Sequence, residues 1–171
     1  MYKVYLSVSK NTIKENNITI ESYIEYDIIQ KIKNKLISKN KYIVYVSKPS
    51  MSHEETITDS NNIAPNINVI INTNCKENEG INVYAKAGCS ISNGYAKEIY
   101  KKILPVYYNK NTDNGIMYDN ENINKLSNPA VLIELGNKES IQDINWLNDN
   151  KNEIAEKITE GIALGSKLRP C

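Results

Sequence analysis

Polar and apolar residues alternate from Lys3 to Val8, in Lys3-Val4-Tyr5-Leu6-Ser7-Val8, and this β-forming pattern predicts a first strand. From Ser22 to Lys39 the apolar residues recur at helical spacing, at Ile24, Ile28, Ile32 and Leu36, with Ile29 and Ile37 widening the stripe, so a long helix is expected. Tyr42 to Val46 reads as a second strand closed by Lys48-Pro49-Ser50, and Ile67 to Ile71 as a third introduced by Pro65. Further along, Gly80 to Tyr84 reads as a strand, Asn93 to Ile103 as a helix stopping before Pro105, Ala130 to Glu134 as a buried strand, and Asn152 to Leu164 as a last helix. The polar stretch from Lys110 to Asn124 reads as loop, as does the segment around His53. Strands alternating with helices predict an α/β fold, a mostly parallel twisted sheet with helices on both faces. A chain of 171 residues suits a single domain spanning 1–171.

Composition narrows the partners. With 21 basic and 20 acidic residues the formal charge is +1, and no run of like charges forms a basic arm or an acidic tail, so neither nucleic acid nor acidic lipid is implied. No apolar run reaches membrane-spanning length, and no basic start followed by an apolar stretch marks an export signal. A cytoplasmic protein is expected, or one released by lysis or phage-type export, unless a signal has already been removed. The three cysteines, Cys75, Cys89 and Cys171, cannot all pair within one chain and match no common metal spacing, so they read as reduced thiols.

In sheets of this kind chemistry sits beyond the carboxyl ends of the strands, which directs attention to Ser7–Lys10, Asn72–Asn74 and Glu134–Gly136. Glu134 ends the apolar run Pro129-Ala130-Val131-Leu132-Ile133, where a carboxylate is costly unless it meets a cleft, a cation or a hydrogen-bond donor. It is either a functional carboxylate or half of a structural ion pair. The lone histidine, His53, precedes Glu54 and Glu55 but lacks the second histidine of a helical zinc motif, and it reads as a solvated loop residue.

Pro129 to Gly136 resembles, almost letter for letter, the P-A-V-L-V-E-L-G segment of the zinc-dependent N-acetylmuramoyl-L-alanine amidases, which hydrolyse peptidoglycan. Other segments follow that family's order. Lys3–Lys10 corresponds to K-I-Y-L-D-P-G-H, Glu21 to a glutamate that begins the first long helix, Val69–Cys75 to I-S-I-H-x-N-A, Gly80–Tyr84 to G-x-E-V-Y-Y, and Ile154–Ile162 to a closing I-A-E-A-I-A-E-G-I helix. The resemblance implies an amidase fold and makes Glu134 the counterpart of the catalytic general base. It also implies a zinc held by two histidines and a glutamate, with water in the open position.

Carried across, the histidines fall on Lys10 and Asn72, and Glu21 is the remaining zinc-site position. An ammonium offers no lone pair and repels a divalent ion, and a neutral carboxamide is a poor zinc ligand. Zinc lowers the pKa of its bound water from about 15.7 to roughly 7, and without that help Glu134 has no activated nucleophile. No metal cofactor is therefore expected, and the Lys10 ammonium is expected near the zinc position, paired with Glu21, Glu134 or both. Asn114-Gly115 stands where the family carries Arg-Gly, so a basic substrate contact is missing too. Asn61-Asn62 resembles the family's A-N pair before the third strand, Asn74 matches the asparagine after its second histidine, and both read as structural, bonding backbone in turns. The reading that follows is a degenerate amidase-like protein that binds peptidoglycan or a cell-wall-associated partner; the alternative is an active amidase with an atypical metal site.

Overall fold

In the computed structural model, residues 1–9, 20–74, 80–109, 113–118 and 121–167 are described. Strand β1 (Tyr2–Val8) leads to helix α1 (Ile20–Ile37), strand β2 (Tyr42–Val46), helix α2 (His53–Ile63) and strand β3 (Ile67–Asn74). Then come β4 (Ile81–Ala85), α3 (Ser90–Ile103), β5 (Asp113–Met117), the single turn α4 (Glu121–Asn124), β6 (Ala130–Asn137) and α5 (Ile141–Gly165). The strands form one six-stranded sheet in the order β2-β1-β3-β6-β4-β5. It is parallel except where β4 meets β6.

Alternation along the strands sorts side chains to two faces. Val4, Leu6 and Val8 of β1, Val69 and Ile71 of β3, and Val131, Ile133 and Leu135 of β6 enter the larger core with the apolar stripes of α1, α3 and α5. Ile24, Ile28, Ile32 and Leu36 of α1 are all buried there, and each fully buried residue of this size contributes about 1.5–3 kcal/mol of transfer free energy. On the opposite face Ile70, Ala130 and Leu132 pack with Ile123 and Leu126, and Ile57 of α2 lies against them. Helices therefore cover both faces of a mostly parallel sheet, the fold class the sequence pattern predicts.

Three segments depart from the sequence expectations. The segment after β2 is helical, not a loop. Ser52 caps it, with its hydroxyl accepting Glu55 N–H and the Glu55 carboxylate accepting Ser52 N–H, a reciprocal capping box. The polar stretch from Lys110 to Asn124 contains an edge strand and a helical turn, because β5 pairs only with β4 and needs little apolar surface. Finally, α5 starts at Ile141 and not at Asn152, since Ser140 caps it by accepting Asp143 N–H.

Candidate functional site

Strands β1, β3 and β6 lie side by side and run in the same direction, so their carboxyl ends meet at one edge of the molecule. Asn72 and Glu134 stand directly opposite each other in the β3–β6 register, and Glu134 is also opposite Asn82 across the antiparallel β6–β4 pair. These positions bring the three residues onto one lateral row, on the sheet face that carries α2.

Glu134 is only 5% exposed. Asn82 Nδ2 donates to its Oε2 at 3.3 Å, while Asn82 Oδ1 accepts Asn114 Nδ2 at 2.7 Å. Tyr84, two residues along β4, adds a hydrogen bond from its hydroxyl to the Glu134 side chain. Its phenol is pushed up to about 12, first by burial and then by the charge of Glu134 and that hydrogen bond. The carboxylate is thus held by neutral donors from the neighbouring strand.

A second buried carboxylate, which the sequence did not single out, lies on α1 against the other face of the sheet and bonds the end of β3. Glu25 is 5% exposed, and its Oε1 accepts both the N–H and the hydroxyl of Thr73 at 2.6 Å each. Thr73 directly follows Asn72, where the β3–β6 register shifts. Asn82 had a signal in the sequence, since it occupies the acidic position of the G-x-E-V-Y-Y motif. Glu25 had only its place one turn beyond Glu21.

His53 is not a solvated loop residue. It opens α2, is partly buried, and lines a cavity of about 10 Å³ with Ser7, Ser9, Ile70 and Leu126, space for no more than one water-sized group. Burial, seconded by the charge of Lys125, lowers its pKa, against an opposing effect of Glu54. Ser9 is buried beside it, and its hydroxyl has no hydrogen-bond partner among the described residues.

Lys10 lies outside the described residues, as does the side chain of Glu21. At the position that is described, Asn72 presents a carboxamide, and among the described residues no three of His, Cys, Asp and Glu converge. The described side chains do not by themselves fit a zinc site, which takes imidazole, thiolate and carboxylate donors.

The family model for N-acetylmuramoyl-L-alanine amidase matches residues 8–164. The chain belongs to that family. Among solved structures it is similar to the catalytic domain of CwlV, an N-acetylmuramoyl-L-alanine amidase from Bacillus (Paenibacillus) polymyxa var. colistinus, with 21% identity, a TM-score of 0.81, and 99% of this chain and 100% of that one covered. An N-acetylmuramoyl-L-alanine amidase from Clostridium difficile 630 superposes with a TM-score of 0.83 at 19% identity, covering 99% of this chain and 98% of that one. The CwlD amidase from Clostridioides difficile, solved in complex with the GerS lipoprotein, gives 0.75 at 19% identity, with 99% and 100% covered. No curated protein sequence matches the chain.

Within this amidase fold Asn61, Cys89 and Asn114 make local hydrogen bonds. Asn61 Oδ1 accepts Ser127 N–H at 2.8 Å, fixing the turn before β6 as expected. Cys89 is a free thiol that caps α3, its sulfur accepting Ser92 N–H at 3.4 Å, while Cys75 and Cys171 lie outside the described residues. Asn74 pairs with Asn137 past the register shift, and its side chain lies outside the description. Asn114 is the donor that fixes Asn82, so the position aligned with the family's arginine feeds a neutral hydrogen-bond chain ending on Glu134.

Proposed function

We propose that the chain is a degenerate amidase-like module that does not hydrolyse peptidoglycan and instead binds it, or a cell-wall-associated protein, through the edge around Asn72 and Glu134. The observation that carries this reading is the placement of Asn72 opposite Glu134. A carboxamide stands where the family resemblance puts an imidazole, next to the carboxylate that would have deprotonated a metal-bound water. By the resemblance Lys10 is the counterpart of the other histidine, and in this reading its ammonium takes over the positive charge that zinc supplies in the family. Glu134 and Glu21 are its expected partners.

The complex of the CwlD amidase with the GerS lipoprotein supports a protein partner as one occupant of such a fold. No helix among the described residues is long and apolar enough to cross a membrane. The test is co-sedimentation of the protein with purified peptidoglycan sacculi, with new amino termini counted in the same tubes. Binding without new termini supports the proposal. New L-alanine amino termini that vanish in Glu134→Gln would establish the alternative, an active amidase.

A further inference from the structure

A metal held by side chains from the end of β1, the start of α1 and the end of β3 does two jobs: it activates water, and it ties those three elements together. A chain whose described donors do not fit the metal needs another tie at the end of β3, because the site residue Asn72 lies there. The structure holds one. Glu25, on α1, accepts the backbone N–H and the hydroxyl of Thr73 on a single oxygen at 2.6 Å each, across 48 residues of sequence.

Three features set this contact apart from ordinary helix-on-sheet packing. Both Glu25 and Thr73 are buried, so the carboxylate has exchanged water for these donors and is costly without them. Short bonds to an ionised acceptor are also stronger than neutral ones. The contact falls at the irregularity where the β3–β6 register shifts between Asn72 and Asn74, and such bulges re-aim neighbouring side chains at functional edges. Finally, the bonded residue is the immediate neighbour of Asn72, so the clamp acts on the segment that aims it.

We propose that Glu25 is a positioning residue that fixes the carboxyl end of β3 to α1 and replaces the mechanical tie a metal would make. The site edge then keeps its shape with no ion bound. This inference rests on the metal-independent reading of the site, and its test uses the protein alone, so a failure to bind peptidoglycan leaves it standing.

The experiment compares thermal melting, with and without a chelator, and amide hydrogen exchange in the wild type, Glu25→Ala, Glu25→Gln and Thr73→Val, with Gly161→Ala as a control that weakens packing elsewhere. Chelation is expected to leave the wild-type Tm unchanged. Glu25→Ala lowers Tm by roughly 5–10 °C and speeds exchange at Thr73 and its neighbours about tenfold beyond the change in Gly161→Ala. Glu25→Gln, which keeps an acceptor oxygen, recovers part of that protection, and Thr73→Val, which loses only the hydroxyl bond, shows a smaller loss should Glu25→Ala fail to fold. A wild-type Tm that falls with the chelator overturns the proposal. So does exchange at Thr73 that is no faster in Glu25→Ala and Thr73→Val than in the Gly161→Ala control.

Discussion

Asn82 donates to Glu134 across the antiparallel β4–β6 pair at 3.3 Å, and Tyr84 reaches the same carboxylate from two residues along β4. The Tyr84 phenol should therefore titrate near 12, above its ordinary 10.0. A folded-state pKa raised in this way gives stability that is fully present below about pH 10 and is lost as pH rises through the folded value. Removing the charge in Glu134→Gln should bring the value down only part of the way, because burial is the larger cause. Ring-labelled tyrosine NMR measures this directly, and an ordinary Tyr84 titration in the wild type would show that the two groups are uncoupled.

His53 gives a pH dependence of opposite sense. Burial and Lys125 lower its pKa below the usual 6.5, so the folded state favours the neutral ring. Its stability contribution is complete above about pH 6.5 and is lost as pH falls through the lowered folded value. The wild-type Tm should decline more steeply than that of His53→Gln on going from neutral to mildly acidic buffer. Parallel declines would place the imidazole in water.

Helix packing sets another expectation. A Cβ on Gly161 of α5 would stand 2.6 Å from Ile99 Cα and 2.8 Å from Ile99 Cγ1 on α3, so the two helices must separate to admit it. Gly161→Ala should cost about 1–3 kcal/mol by overpacking, despite the better helix propensity of alanine. Chemical denaturation reads this as a lower midpoint with an unchanged m-value. A more stable variant would mean that the helices tolerate wider spacing.

Asp143 anchors the opposite end of α5, in its first turn. It is fully buried and accepts the Tyr107 and Tyr108 hydroxyls at 2.7 Å and Asn137 N–H at 2.6 Å. Asp143→Ala strands the buried donor Tyr107, at about 1–3 kcal/mol, and the part-buried Asn137 N–H, and should rank among the most damaging single substitutions outside the site. Its denaturation midpoint should fall below that of Gly161→Ala. A near-wild-type midpoint would mean that water replaces the carboxylate.

The sheet and its larger core were legible because the Ile24-Ile28-Ile32-Leu36 stripe and the β-branched runs of β3 and β6 carry clear periods. Helix α2 was not, since Thr56 and Ser60 are its buried residues and no apolar stripe marks it. Only the Ser52–Glu55 capping box announced it. The first turns of α5 were hidden in the same way by an exposed Ile141 and the polar Asn148–Lys151 stretch. At the site, Glu134 stood out as a carboxylate ending an apolar run. Glu25 did not, because a glutamate between Ile24 and Ile28 reads as the wet face of a helix until the fold brings Thr73 to it.

An amidase fold that functions without the family's zinc, as proposed above, must be isolated without it, so zinc content per chain decides the matter. The measurement is elemental analysis of protein purified without chelator and dialysed against trace zinc. Far less than one zinc per chain is expected, with no clearing of a cell-wall suspension by the same sample. One zinc per chain, together with wall clearing that is lost in Glu134→Gln, would contradict it.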